Sequence, residues 1–449
     1  MSISFIQKSD LTKPKRHPKI ALVLAGGAIS GGAFKLGGLL ALDRYLVNRK
    51  VTDFDLYVGL SAGAFIGSFL AGGIPPAELL KGIDGTSARI DQLKFYDFYW
   101  PAWREWGHRV RRAGRDAVTV WPRLVWAFMK HLSGNREAIR RQVIEVLGNP
   151  SYTTLERLIG PAVSELSNDV GLPHPGRYIP AGLFDNSRIE QYVRRNLTRN
   201  HIPNDFRLLY RERGVTLYIT ATNLNTARGV VFGRDADNTV SISEAVQAST
   251  AIPGFYVPPR IRGEEYLDAM VRKTANASLA RHKGADLIIL YNPLRPFMNR
   301  SRYQLKPMVA SLSDLGMGTI LNQTIRTLLQ TRLYLGLEKL RFDPGFSGDV
   351  IVIEPTESDA EFFSINPLAF WNRAEAAAQG YQSVRRGLEQ NHDEVQRILA
   401  AYGMDCDLSG LAMDFETLRR MSSRDSATPE AAPSEAPVRS SRPRLMLVR

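Results

Sequence analysis

Short, unrelieved apolar runs alternate with longer stretches of helical spacing along most of the chain. Ile20–Leu24, Phe54–Val58, Val215–Thr220, Leu287–Tyr291 and Val350–Ile353 are each too short for a helix and show little polar alternation. That is the pattern of strands buried on both faces of a parallel sheet. Helical spacing fits Ala33–Leu46, Ala62–Leu70, Ser187–Asn196, Ser243–Ala248 and the long stretches Leu305–Leu340 and Asn372–Ala401. Repeated strand-helix crossovers predict an α/β fold with a mostly parallel sheet flanked by helices, and no internal repeat accompanies them.

The rhythm breaks at residues 84–182, where helical sequence rich in Trp and Arg reads as an insertion or cap. A main domain is therefore expected over residues 19–420, with a C-terminal helical part at about 300–405. Residues 1–18 read as a flexible tail. Residues 421–449, rich in Ser, Pro, Ala and Arg, read as a disordered one, because so little apolar surface cannot offset the entropy of ordering.

Leu56–Ile74 carries no charge, and hydropathy alone would nominate it as a membrane span. Five glycines, at 59, 63, 67, 72 and 73, followed by Pro75 and Pro76, fit a buried strand, a tight turn and a short helix better.

Composition narrows the class. With 44% hydrophobic and 23% charged residues in 449, collagen-like, wholly disordered and disulfide-stapled folds are excluded. The single cysteine, Cys406, allows no internal disulfide and argues against a Cys-rich zinc site. A net charge of +13 favours anionic partners such as phospholipid headgroups or nucleic acid. The first twenty residues hold five Lys or Arg and no apolar run, so a cytoplasmic location is expected, with peripheral contact at the inner membrane face.

Candidate chemistry begins at Gly59-Leu60-Ser61-Ala62-Gly63, between a predicted strand and a predicted helix. A Gly-x-Ser-x-Gly turn there forces the serine onto a sharp bend. Upstream, strand Ile20–Leu24 runs into Ala25-Gly26-Gly27-Ala28-Ile29-Ser30-Gly31-Gly32. Its backbone amides, with a helix behind them, suit a pyrophosphate, a triphosphate or an acyl-transfer oxyanion. No Lys follows Gly32 directly, and the next strand ends in Gly59 and Ser61 rather than an acid, so neither nucleotide reading fits well.

A serine nucleophile needs a base. Asp268 ends the short predicted strand Glu265–Asp268, where a desolvated carboxylate could take the serine proton or simply cap the turn. His282, between Arg281 and Lys283, reads as a solvated residue.

In these stretches the chain resembles the patatin-like phospholipases, serine acyl hydrolases with a Ser-Asp dyad. The resemblance rests on Leu24–Ala28 leading to Gly31 and Gly37-Gly38-Leu39, on Val58–Ala64, on Ala248–Gly254, on Tyr266–Ala269 and on Gly284–Ile288, in that order. It implies a three-layer α/β/α fold, Ser61 as nucleophile, Asp268 as general base and an oxyanion hole at Gly26, Gly27 and Ala28. Gly31, Gly59, Gly63 and Ala269 complete the motifs. The implied substrate is a phospholipid or other acyl ester; no carboxylate cluster has metal-ligand spacing and no nucleic-acid-binding module accompanies the charge, so no cofactor, metal or nucleic-acid partner is expected. The chain departs from the family with Ala28 for Gly, Ser30 for Arg or Lys, Ala269 for Gly and Lys273 for Asn. Two other readings stand beside it: a Ser-His-Asp esterase using His282 or His392, and a catalytically silent lipid-binding or scaffold protein.

Residues 100–126 hold five of the six tryptophans, and Arg104 to Arg141 carry ten basic and three acidic residues, a balance of +7. Trp103, Trp106, Val110, Ala113, Ala117, Val120, Leu124 and Phe128 share one helical face. Most of that face is expected to pack on the α/β core, its remainder touching an anionic membrane surface through residues 100–141.

Overall fold

The computed structural model describes residues 2–119, 136–149, 175–299 and 311–411, with the single positions 122, 126 and 154. The second predicted tail, 421–449, and residues 155–174 of the predicted insertion lie outside them.

Five parallel strands form the middle of the main sheet, in the order β11 (Asp349–Ile353), β10 (Leu287–Tyr291), β2 (Ile20–Leu24), β3 (Leu56–Leu60), β5 (Thr216–Asn223). All five are fully buried along their length, which explains their lack of polar alternation. Ile20, Leu22 and Leu24 of β2 face one core, together with Phe34, Phe69 and Tyr381. Ala21 and Val23 face a second core with Ala280, Leu337 and Leu340. The first core lies under helix α1 (Ala28–Tyr45), helix α2 (Ala62–Ala71) and helix Arg373–Gln390, and the second under helices Ala277–His282 and Met317–Arg341. The three-layer expectation holds.

Antiparallel strands finish both edges. β6 (Gly229–Gly233) pairs with β5, and so does β9 (Glu264–Asp268), whose other edge carries β8 (Arg260–Ile261). At the far side β1 (Ile3–Ile6) pairs with β11. This corrects the expectation of a flexible tail at residues 1–18. The four residues cover the otherwise open edge of β11, and Asp349 then accepts the amides of Lys8 and Ser9 at 2.7 and 2.9 Å. A further pair, β4 (Gly182–Phe184) and β7 (Gly254–Tyr256), lies apart from this sheet.

Leu56–Ile74 is strand, turn and helix, and among the described residues no helix is long and apolar enough to cross a membrane. The glycine loop is shorter than expected, because α1 begins at Ala28 rather than Ala33. The long stretch 372–401 is two helices, Arg373–Gln390 and His392–Ala401.

Candidate active site

β3 ends at Leu60, and the chain turns through Ser61 straight into α2. Ser61 has φ 52°, ψ −126°, a left-handed backbone that a side-chain-bearing residue holds only when its surroundings impose it. Two close approaches do so. A Cβ on Gly59 would sit 2.5 Å from the Ala64 Cα, and one on Gly63 2.2 Å from the Leu24 carbonyl oxygen, so α2 can fold back tightly only over glycine. The Ser61 amide donates to the Ser249 hydroxyl at 2.8 Å, and that hydroxyl donates to the Thr220 carbonyl at 2.7 Å. Ser249 thus ties the bend to β5. Sequence reading saw the stretch Ala248–Gly254 only as a landmark and gave Ser249 no role.

The register of β5 brings Asp268 to the same place. Along one edge of β5, Thr220 pairs with Leu60 of β3, and the next residue, Ala221, pairs with Asp268 of β9. β6 occupies the opposite edge at both positions, so β3 and β9 follow one another along one side. The bend after Leu60 and the end of β9 therefore meet. Asp268 is fully buried. Its Oδ1 accepts the Met270 amide at 2.8 Å, capping the short turn that starts at buried Ala269, and among the described residues none donates a direct hydrogen bond to Oδ2. The capping reading and the base reading are therefore compatible, one oxygen serving each. Burial raises the carboxyl pKa to about 6, while the neighbouring Ser61 hydroxyl, the Met270 amide and the charge of Lys35 pull it down.

Gly26 faces the serine, since a Cβ there would lie 3.4 Å from the Ser61 Cβ and collide with the Met270 side chain. Ile29 and Ser30 spend their amides on the Pro367 carbonyl, and the Gly31 amide on Gly27. The amides of Gly26, Gly27 and Ala28 donate to no described residue. Ala28 has φ 52°, a conformation that costs an alanine about 1 kcal/mol yet leaves its N–H in place.

From Ser61 and Ala28 a cleft runs between α1, α2 and helix Ser187–Arg199. Its walls are mostly apolar, among them Leu36, Phe65, Ile66, Leu79, Ile189 and Phe255, with Tyr192, Thr250, Tyr256 and Arg373 also lining it. No histidine lines it among the described residues.

The histidine-dependent alternative is corrected here. His282 is exposed and shortly precedes β10, whose lead-in Asp286 bonds to the Lys19 carbonyl at the start of β2. Ser61 lies past the opposite ends of these parallel strands. His392 bonds Tyr45 at the C-terminus of α1, a helix of 18 residues whose other end is the glycine loop, about 27 Å away.

Helix Trp103–Thr119 leaves the cleft's rim inside out. Three of its charged residues face inward: Glu105 pairs with Arg109 at 2.7 Å and accepts the Ala181 amide, Arg109 donates to the Arg177 carbonyl, and buried Asp116 accepts from Tyr178. Its apolar side faces solvent, with Trp103 and Val110 each 68% exposed and Trp106 42%. The expectation that most of this face packs on the core is therefore reversed for Trp103, Trp106, Val110, Ala113 and Ala117. Val120, Trp121, Leu124 and Phe128 lie outside the described residues. The helix begins beside an aromatic rim in which Tyr99 packs against Phe184, Phe255 and Trp371.

A family model described as Patatin-like phospholipase matches residues 22–281. The chain is also similar to three solved structures. VipD of Legionella pneumophila is 13% identical, with 97% of each chain covered and a TM-score of 0.31. ExoU of the Pseudomonas aeruginosa type III secretion system, solved in complex with SpcU, is 17% identical over 95% of this chain and 71% of that one, TM-score 0.26. Human GIVD cytosolic phospholipase A2, solved with methyl gamma-linolenyl fluorophosphonate, is 12% identical over 88% of this chain and 60% of its own, TM-score 0.31.

Proposed function

The chain belongs to the patatin-like phospholipase family, and from that premise we propose that it cleaves long-chain acyl esters of phospholipids through a Ser61–Asp268 dyad. Ser61 Oγ attacks the ester carbonyl while Asp268 Oδ2 takes its proton. The carbonyl oxygen, now negative, lies against the amides of Gly26, Gly27 and Ala28. Collapse of this intermediate breaks the bond to the alcohol, which leaves with the proton from Asp268. Water then attacks the acyl-serine by the same route, giving up its proton to Asp268, which returns it to Ser61 as the fatty acid departs.

The observation that carries this reading is the β5 register, which sets the serine bend and the aspartate strand end side by side at the head of an apolar cleft. The unpartnered Oδ2 is the acceptor the first step requires. The apolar walls suit an acyl chain rather than a polar substrate. Hydrolysis of a phospholipid by wild type, Ser61→Ala and Asp268→Asn is the test. Loss in both variants with unchanged circular dichroism is expected, and full activity in either rejects the dyad.

The same reading places the chain on an anionic membrane while it works. Trp103, Trp106 and Val110 are exposed beside the cleft's rim together with Arg104, Arg111 and Arg115. Aromatics beside arginines suit an interface of headgroups and acyl chains.

A further inference from the structure

Lys35 is fully buried in α1, close to the site yet outside the dyad and its oxyanion amides. Helical side chains lean toward the N-terminus, so a lysine about two turns into the helix reaches back over the loop that precedes it. Its ammonium donates to the carbonyl oxygen of Ala25 and, at 3.1 Å, to that of Gly26. In a trans peptide the carbonyl and the following N–H point in opposite directions from one plane. The two carbonyls held by Lys35 thus belong to the same peptide units as the amides of Gly26 and Gly27.

We propose that Lys35 is a positioning residue for acyl transfer. Its ammonium clamps the Ala25–Gly26 and Gly26–Gly27 peptide planes from behind, so that their N–H groups face the reacting carbonyl, and its charge polarises both donors. This rests on the dyad reading above. A lysine is costly to bury, and a hydrophobic residue of similar length would pack there at less expense. Lys35 therefore earns its place through the loop and not through stability. Asp268 is the charged group that acts on it, and Lys35 in turn lowers the pKa of Asp268. Burial pushes the Lys35 pKa down to about 7. The required state, Asp268 ionised and Lys35 protonated, is then richest between about 6 and about 7.

The test measures hydrolysis of p-nitrophenyl butyrate from pH 5 to 9 by wild type, Lys35→Met and Ser61→Ala, with melting temperatures. The proposal expects a bell-shaped wild-type profile. Lys35→Met should fold with an equal or higher melting temperature and lose kcat at least tenfold with KM little changed. It should also lose the alkaline limb and move the acid limb to higher pH, because Asp268 no longer feels the ammonium. An inactive Ser61→Ala beside a Lys35→Met of wild-type rate and profile overturns the Lys35 role and leaves the dyad standing. An active Ser61→Ala overturns both. A lower rate with the wild-type profile retained marks plain structural damage and rejects the clamp. Should Lys35→Met fail to fold, Lys35→Leu takes its place, and a Lys35→Leu of wild-type rate and profile contradicts the clamp.

Discussion

At the end of β3 the chain buries its polar groups, holding Ser249 and Lys35 by hydrogen bonds and leaving Asp268 Oδ2 without one from a described residue, whereas along helix Trp103–Thr119 it turns Glu105, Arg109 and Asp116 inward and shows tryptophans and arginines to solvent. Ser61, Ser249, Asp268 and Lys35 are all buried, and packing and hydrogen bonds fix each of them. Trp103, Trp106 and Val110 are exposed, on a helix whose one buried residue is Asp116. A centre built in the first way does chemistry through exact placement, so damage to it should appear in kcat. A surface built in the second way has its apolar face turned away from its own fold, so damage there should appear only when a membrane is present.

The largest effect that would sharpen this contrast is removal of the dyad. Ser61→Ala and Asp268→Asn should each lower kcat by about 10³-fold or more, while the melting temperature moves little. Wild-type activity should fall about tenfold for each pH unit below about 6, because a protonated Asp268 cannot accept the serine proton. A flat rate from pH 7 to 4 would break that link. Ala33→Leu, which narrows the cleft, should reduce hydrolysis of palmitoyl relative to butyryl esters by about tenfold, each lost methylene contact being worth roughly 1 kcal/mol. Equal loss on both esters would show that the chain does not lie there.

Ser249→Ala removes the acceptor of the Ser61 amide and should cost about 1–2 kcal/mol of stability, with a rate loss of about fivefold. Thermal melting and steady-state kinetics check both. The smallest effect belongs to the outer helix. Trp103→Ala with Trp106→Ala should weaken binding to vesicles containing anionic lipid by about threefold and leave p-nitrophenyl butyrate hydrolysis unchanged. A loss on the soluble ester would make these tryptophans part of the site and erase the contrast.

The sequence made the centre legible in outline and the outer helix only in half. Unrelieved apolar runs identified all five parallel strands, although β3 starts at Leu56 rather than Phe54 because burial extends beyond the hydrogen-bonded ladder. Ser61 was visible because its turn lies between two strong local signals. The partnership of Ser61 with Asp268 came only from the family resemblance and not from pattern, since it depends on where β9 joins β5, a pairing between residues far apart in the chain. β1 escaped notice because four residues carry too short a pattern. Lys35 was invisible because a helical lysine ordinarily reads as solvated, and Ser249 because a hydroxyl among small residues has no periodicity. For Trp103–Thr119 the spacing revealed an apolar face but could not say which way it points. The hydrogen bonds that Glu105 and Arg109 make to the backbone at Ala181 and Arg177, with the Asp116–Arg177 ion pair, decide that.

The most direct measurement is covalent labelling with a fluorophosphonate, followed by peptide mass mapping of wild type, Ser61→Ala and Asp268→Asn. One adduct on Ser61 in the wild type, none in Ser61→Ala and markedly slower labelling in Asp268→Asn is the expected result. An adduct on another serine, or labelling of Ser61 at an unchanged rate without Asp268, would contradict the dyad.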